Sequence, residues 1–239
     1  MKNEYDSDFD LLREAEELLG LTFDKKDLNA FKLFYEEVTT FNNSVNLTTI
    51  TEKKDFAVKH IADSLTAAKY IPIGASVCDI GPGGGFPSIP LKIMRSDLSF
   101  RLFEASAKKT TFINSAASLL GLESFNCLHM RAEDAGRGKF RESFDVAVAR
   151  AVAPLNTLLE YALPLVKPGG IFIAYKAHAQ EELSVSERAA VLLGAGIPQA
   201  VDLILPFTDV KRTLLIYKKI NNTPVIYPRG GNKERSSPI

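Results

Sequence analysis

A glycine-rich turn follows an apolar run in the segment Val77-Cys78-Asp79-Ile80-Gly81-Pro82-Gly83-Gly84-Gly85-Phe86-Pro87. The apolar run has the character of a buried strand, and a helical pattern follows the turn. Glycines let a ligand approach the backbone, and the beginning of a helix offers unpaired N–H groups. In a parallel α/β sheet, such a turn lies at the carboxyl end of its strand, where ligands bind. The segment therefore predicts a ligand site that includes Gly81, Gly83 and Gly85.

Strand-like and helix-like segments alternate on the carboxyl side of this turn. The apolar runs are residues 76–80, 100–104, 125–130, 144–149 and 171–176, and the helical patterns between them are residues 86–93, 108–120 and 154–165. This alternation predicts a mostly parallel sheet with helices on both faces. Two last runs, 203–205 and 213–218, are joined by a loop too short for a crossover. They are predicted to form an antiparallel hairpin.

The patterns divide the chain into three parts. Residues 1–70 are predicted to be an N-terminal helical extension, because apolar residues recur there at helical spacing. Residues 71–220 hold the α/β domain. Residues 221–239 form a basic tail, and its last part, residues 227–239, is rich in glycine, proline, serine and lysine and is predicted to be mobile. Lys plus Arg equals Asp plus Glu, 29 each, so only this local basic excess points to nucleic acid.

Composition places the chain among ordinary globular proteins. Apolar residues make up 46% and charged residues 24%. No apolar run reaches the roughly 20 residues that span a bilayer, and the first residues lack the apolar core of a signal peptide. We therefore expect a cytoplasmic protein without a membrane partner. Neither the two cysteines nor the three histidines, which include His178, have a metal-ligand spacing, so we expect buried free thiols and no metal site.

Two acidic residues narrow the identity of the ligand. Asp79 precedes the glycines, where a carboxylate would repel a pyrophosphate but suits a cationic ligand such as the amino-acid part of S-adenosylmethionine. Glu104 ends the next predicted strand, where an acidic residue can accept both ribose hydroxyls of a nucleoside. Both carboxylates could instead only cap loops. A nicotinamide-dependent dehydrogenase is the alternative that shares the glycine turn, and Asp79 argues against it.

The next two strand ends complete the predicted site. Ala132 and Glu133 follow the third strand, where a backbone N–H and a side-chain acceptor can face an adenine ring. Arg150 ends the fourth strand, which should face the reacting methyl group. The interpretation at this point is a class I, Rossmann-like fold that binds S-adenosylmethionine.

The chain resembles the RsmG/GidB family of bacterial small-subunit ribosomal RNA methyltransferases over nearly its whole length. The residues that carry the resemblance are Asn46-Leu47-Thr48, Lys59-His60-Ile61-Ala62-Asp63-Ser64, the glycine turn with Phe86-Pro87-Ser88-Ile89-Pro90-Leu91, Lys108-Lys109, Ala132-Glu133, Arg150-Ala151-Val152-Ala153, Tyr175-Lys176-Ala177, Asn222-Thr223-Pro224 and Tyr227-Pro228-Arg229. The glycine turn is common to many methyltransferases, whereas the first two segments are typical of this family.

The resemblance implies both a cofactor and a substrate. It implies that Gly81, Phe86, Ala132, Glu133 and Arg150 contact S-adenosylmethionine. It also implies that the target is N7 of one guanine in 16S ribosomal RNA, within the small subunit or an assembly intermediate. Guanine N7 carries an exposed lone pair, so no general base is expected, and catalysis is mainly alignment.

Other residues are candidates for positioning the substrate. His60 and Asp63 lie three residues apart on a predicted helix and share a face, so they either help position cofactor or base, or form a surface pair without a role. Lys108, Lys109, Lys176 and Arg229 are candidate contacts to RNA phosphates, although each could be a solvated charge. Two other functions stay open, namely a non-catalytic RNA-binding or ribosome-assembly factor on this fold, and a methyltransferase that acts on protein or a small molecule.

Overall fold

Seven strands form one sheet in a computed structural model that describes residues 7–177 and 179–239. The strands are β1 (Ser76–Ile80), β2 (Ser99–Glu104), β3 (Phe125–His129), β4 (Phe144–Arg150), β5 (Val166–Lys176), β6 (Gln199–Ile204) and β7 (Lys211–Lys218). Their order across the sheet is β3-β2-β1-β4-β5-β7-β6. Neighbours from β3 to β5 are parallel, whereas β7 is antiparallel to both β5 and β6. The predicted sheet and its antiparallel hairpin are confirmed.

Helices cover both faces of this sheet. They are α1 (Ser7–Asp10), α2 (Glu16–Leu19), α3 (Lys25–Asn42), α4 (Lys53–Phe56), α5 (Asp63–Leu65), α6 (Ser88–Met94), α7 (Ala107–Leu119), α8 (Ala132–Arg137), α9 (Leu155–Ala162), α10 (Ala179–Leu192) and α11 (Lys233–Ser236). A π-helical turn, Ala57–Ala62, joins α4 to α5, and short 3-10 turns occupy Leu11–Ala15, Ala68–Tyr70 and Leu163–Leu165. Within the described residues, no helix has the length and apolar composition required to cross a bilayer.

Alternating side chains of the strands divide the interior into two cores. On β1, Val77 belongs to a core with the N-terminal helices, α6 and α7, whereas Cys78 belongs to a core with α8, α9 and α10. Phe31 and Phe34 of α3 are fully buried in the first core, so the N-terminal helices share their apolar contacts with the sheet. Both Cys78 and Cys127 are buried free thiols, as predicted. The first six residues of the predicted extension lie outside the described part.

Several element boundaries differ from the sequence predictions. Strand β5 begins at Val166, five residues earlier than predicted, because the strand continues through Gly169 and Gly170. A Cβ on Gly170 would lie 2.5 Å from the carbonyl oxygen of Asp145, and the β4–β5 register shifts beside it. Helices α8 and α10 have no counterpart among the predicted helices.

The end of the chain is the largest difference from the sequence interpretation. Residues 227–239 were predicted to be mobile, yet Tyr227 and Ile239 pack against the second core. Arg229 forms an ion pair with the buried carboxylate of Glu160 on α9. The glycine and serine content of this segment suggested mobility, whereas a few single side chains spaced along it make the contacts that hold it against the domain.

Candidate active site

The glycine turn and Glu104 form one hydrogen-bonded unit at the carboxyl edge of the sheet. The backbone N–H of Gly83 donates to Glu104 Oε2 at 3.1 Å, and that of Ser106 donates to Oε1 at 2.8 Å. Gly81 has a φ of +62°, a region that favours glycine, and a Cβ there would lie 3.2 Å from Val152. Hydrogen bonds thus connect the turn after β1 to the end of β2, and Val152, which follows β4, lies beside the turn.

A cavity of about 320 Å³ opens beside this unit, and we call it the glycine-loop cavity. It is lined by Ile80, Gly81, Phe103, Glu104, Ala105, Lys109, Met130, Arg131, Ala132, Glu133, Val152, Tyr161 and Arg235. Four predicted cofactor-binding residues are therefore brought together, namely Gly81, Glu104, Ala132 and Glu133. The other five, Asp79, Gly83, Gly85, Phe86 and Arg150, are not among its lining residues.

The lining of the cavity fits a nucleoside such as that of S-adenosylmethionine. Each carboxylate oxygen of Glu104 accepts one backbone N–H and keeps a second lone pair for a ribose hydroxyl. Helix α8 begins at Ala132 without a side-chain cap, and the first N–H groups of a helix have no partner within it. These N–H groups and the Glu133 carboxylate are suited to the ring nitrogens and amino group of an adenine.

Asp79 is fully buried and is not among the residues that line the cavity. One carboxylate oxygen accepts the hydroxyl of Ser88, and the other has no partner within the described residues. Burial raises the pKa of Asp79 to about 8, so the folded protein holds this carboxyl in its neutral form at neutral pH. A neutral carboxyl does not attract a cationic ligand as a carboxylate would, and the contact of Asp79 with the cofactor stays a prediction.

We expect the substitution Asp79→Asn to change the pH dependence of stability. An aspartate in the unfolded chain titrates near pH 4, about four units below the folded value. The stability contributed by the neutral carboxyl is complete below about pH 4 and is lost as the pH rises through about 8. The asparagine variant should therefore gain free energy of unfolding relative to wild type between pH 5 and pH 8.5, measured by urea denaturation. A difference between the two proteins that is constant over this range would contradict the assignment.

A second cavity of about 420 Å³ lies at the same edge of the sheet, and we call it the arginine cavity. It is lined by Ile50, Lys59, His60, Asp63, Arg150, Ala151, Tyr175, Lys176, Ala177, Leu205, Val210 and Arg212. Its centre is the fully buried Asp63, whose carboxylate binds Arg150 at 2.9 Å and Arg212 at 2.7 Å. The predicted His60–Asp63 pair is therefore not a surface pair but part of a buried ionic cluster.

His60 is held in one tautomer within this cluster. Its Nδ1 lies 3.0 Å from Arg150 Nη2, and because arginine only donates, Nδ1 must accept. The proton is then on Nε2, which donates to the Thr48 hydroxyl at 2.7 Å. Burial and the adjacent Arg150 lower the pKa of His60 to about 3, so the ring is neutral at neutral pH. Phe86 stacks on this ring at 4.2 Å and also lies 5.0 Å from the Arg150 guanidinium.

Three residues of this site were not found as candidates from the sequence. Thr48 lies in the Asn46-Leu47-Thr48 segment that carried the family resemblance, and the Asn42 side chain holds its backbone in place. Arg212 comes from β7 and Tyr175 from β5, where the Tyr175 hydroxyl donates to the Ser64 carbonyl. No local spacing links Arg212 to Asp63, because 149 residues separate them.

The four predicted RNA contacts have different environments. Lys108 is exposed at the beginning of α7, and Lys109 lines the glycine-loop cavity. Lys176 donates to the Glu182 carboxylate and to the Ala153 carbonyl, with its side chain 11% exposed. Arg229 is bound to Glu160 through its backbone N–H and its guanidinium. Internal partners therefore compete with RNA for Lys176 and Arg229, and all four contacts stay predictions.

The sheet order, the antiparallel β7 and the glycine-loop cavity define the fold of class I S-adenosylmethionine-dependent methyltransferases. The crystal structure of M. jannaschii TYW2 in complex with AdoMet shares this fold with a TM-score of 0.55. The match has 13% sequence identity and covers 67% of this chain and 76% of that one. The described residues contain no cluster of three or more His, Cys, Asp or Glu side chains suited to a metal ion.

Sequence comparison places the chain in one family within this class. The family model GidB, described as rRNA small subunit methyltransferase G, matches residues 27–209, and the chain belongs to this family. A protein named Ribosomal RNA small subunit methyltransferase G from Caldanaerobacter subterraneus subsp. tengcongensis is 41% identical over 96% of this chain and 98% of its own length. A protein of the same name from Bacillus subtilis is 40% identical over 92% and 94%.

Proposed function

We propose that this protein transfers a methyl group from S-adenosylmethionine to N7 of one guanine in 16S ribosomal RNA of the small subunit. Membership of a family described as rRNA small subunit methyltransferase G supports the reaction and the class of substrate. The observation that carries the choice of N7 is the arginine cavity, where the one histidine is neutral and the carboxylate is neutralised by two arginines. Neither group is a ready proton acceptor, and a guanine N7 needs none.

The chain's own residues hold the cofactor in the glycine-loop cavity. S-adenosylmethionine supplies an activated methyl group when it is bound. Glu104 accepts the ribose hydroxyls, the first turn of α8 and Glu133 bind the adenine, and the absence of a side chain on Gly81 lets the ligand approach the backbone. The arginine cavity shares this edge of the sheet, because Arg150 ends β4 next to the end of β1. The methyl group would then pass from one cavity to the other.

Glu104 provides a direct test of the cofactor site. Glu104→Gln should weaken S-adenosylmethionine binding by about 1–3 kcal/mol, the range for hydrogen bonds to a charged group. Isothermal calorimetry on wild type and variant measures the loss. Glu123→Gln, at an exposed position, removes one charge without touching the cavity and should leave the affinity unchanged. A loss below a few tenths of a kcal/mol in the Glu104 variant would contradict the ribose contact.

The arginine cavity has the groups that recognise a guanine edge. Arg212 Nη1 donates to no acceptor in the described part of the chain, although Nε and Nη2 are bound to Asp63. This free N–H is suited to guanine O6, a frequent arginine contact to that base. The neutral His60 ring and its partner Thr48 have no charge to repel the base. Alignment of N7 with the methyl group is then the main contribution of the protein.

The RNA backbone would lie along the rim of the two cavities. Lys109 lines the glycine-loop cavity, the exposed Lys108 precedes it on α7, and Lys176 lines the arginine cavity. These side chains would contact phosphates, which position an RNA without reading its sequence. Arg229 is a weaker candidate, because rupture of its bond to the buried Glu160 would leave that carboxylate unpaired.

Mass spectrometry of small-subunit ribosomal RNA tests the proposed function. N7-methylguanosine at one position of 16S RNA should vanish when the gene is removed and return when wild type is supplied. Purified small subunits from the deletion cells should accept a labelled methyl group more readily than bare transcript, because folded RNA preorganises the target. A methyl group on protein, on another base atom or on no RNA would refute the substrate assignment.

A further inference from the structure

The last ten residues, 230–239, cross α9 beside the glycine-loop cavity, and we call them the C-terminal strap. Arg229, the residue directly before the strap, is anchored through its ion pair with Glu160, a fully buried carboxylate, at 2.7 Å. In the middle, the Thr157 hydroxyl of α9 donates to the Glu234 carbonyl at 2.8 Å. At the end, Ile239 packs against the second core. The strap is therefore held at its beginning, middle and end.

The strap places one cation at the nucleoside side of the cavity. Arg235 lines the cavity, and its Nε donates to the Tyr161 hydroxyl at 3.1 Å. Its two terminal nitrogens donate to no acceptor within the described residues. Tyr161 lies within electrostatic reach of both Arg235 and Glu133 of α8, and all three residues line the cavity. A planar guanidinium stacks on aromatic rings and attracts their π-electrons.

We propose that the C-terminal strap closes the nucleoside end of the glycine-loop cavity and that Arg235 is a binding residue there, with a purine ring as the group that it contacts. The inference rests on the proposed function only in that the purine is the adenine of S-adenosylmethionine. It assigns to the strap a role in binding and releasing the cofactor, whereas the basic composition of the same segment had pointed to RNA phosphates.

A buried carboxyl makes the closed position of the strap costly. Glu234 has no exposed surface, and neither side-chain oxygen has a hydrogen-bond partner within the described residues. Burial raises its pKa, and the nearby Glu160 and Glu133 act in the same direction. An unpartnered buried polar group costs free energy that opening of the strap recovers. The strap is therefore suited to open for exchange of the cofactor.

A matched pair of variants tests the binding role of Arg235. Arg235→Ala should weaken S-adenosylmethionine and free adenosine by about 3- to 30-fold in calorimetry, the range of a cation–π contact. Lys233→Ala removes the same charge from the same short helix, at an exposed position outside the cavity lining, and should change either affinity less than twofold. Equal affinities in wild type and the Arg235 variant, or equal losses in the two variants, would overturn the proposal.

The substitution Glu234→Met tests closure independently. It removes both unpartnered oxygens, keeps a side chain of similar length and should favour the closed strap, so the dissociation rate of S-adenosylmethionine should fall several-fold in a stopped-flow displacement experiment. An unchanged or faster rate would show that the strap does not limit exchange. Melting temperatures of the ligand-free variants confirm that each is folded.

The failure of this inference is distinguishable from failure of the proposed function. If wild type binds no S-adenosylmethionine, the cofactor assignment is refuted, and the strap loses its ligand with it. If wild type binds the cofactor and methylates RNA but the Arg235 variant does both equally well, only the strap proposal fails. A variant that binds the cofactor normally and RNA poorly would assign Arg235 to phosphate contact, which also overturns the proposal.

Discussion

Replacement of Asp63 by alanine is expected to lower the free energy of unfolding by about 3–5 kcal/mol, the cost of removing one partner from a buried ionic cluster. The carboxylate is fully buried and binds two arginines, from β4 and β7. Without it, Arg150 and Arg212 would leave two positive charges next to each other, with side chains only 11% and 16% exposed. Urea denaturation of the two proteins measures the change.

Asp55→Ala is the matched control for this substitution. Asp55 lies two turns earlier on the same helical segment and forms an ion pair with Lys59 at 2.8 Å, but its side chain is 46% exposed. An exposed pair contributes about 0–1 kcal/mol, so this variant should be nearly as stable as wild type. Similar losses in the two variants would mean that the buried cluster contributes no more than a surface pair.

Arg150→Ala should reduce methyl transfer to small ribosomal subunits by about 100-fold or more, because a misplaced reacting group costs about that factor. Arg150 holds the acceptor nitrogen of His60, the carboxylate of Asp63 and the carbonyl of Lys59. Its loss would release the ring and the ion pair that shape the arginine cavity. Initial rates with labelled S-adenosylmethionine and subunits from deletion cells measure the effect.

The affinity for S-adenosylmethionine distinguishes a slower methyl transfer in the Arg150 variant from damage to the glycine-loop cavity. Because Arg150 does not line the glycine-loop cavity, S-adenosylmethionine binding should change much less than the rate. Arg150→Lys keeps the charge but not the planar set of donors, and it should restore little activity. Lys167→Ala, an exposed change at the opposite end of the sheet, should retain the wild-type rate. Loss of binding equal to the loss of rate would move Arg150 into the cofactor site.

The glycine-loop cavity was largely predictable because its residues follow consecutive strands. Gly81, Glu104 and Ala132 come directly after β1, β2 and β3, and the ends of parallel strands meet at one edge of a sheet. The neutral form of Asp79 was not predictable from the sequence. Its charge state depends on complete burial, which strand patterns do not reveal.

Amino-acid order alone determined the strand–helix alternation, the antiparallel hairpin and the position of the glycine turn, because hydrophobic period and loop length are local properties. Only the tertiary structure brought Arg212 to Asp63 and Arg235 to Tyr161, pairs that are 149 and 74 residues apart. Such contacts depend on which strand ends and helix faces the packed sheet places side by side. A run of glycine, serine and lysine has the same composition whether it is mobile or packed against the domain. Here Glu160 and Thr157, which lie much earlier in the chain, bind Arg229 and the Glu234 carbonyl and hold the segment in place.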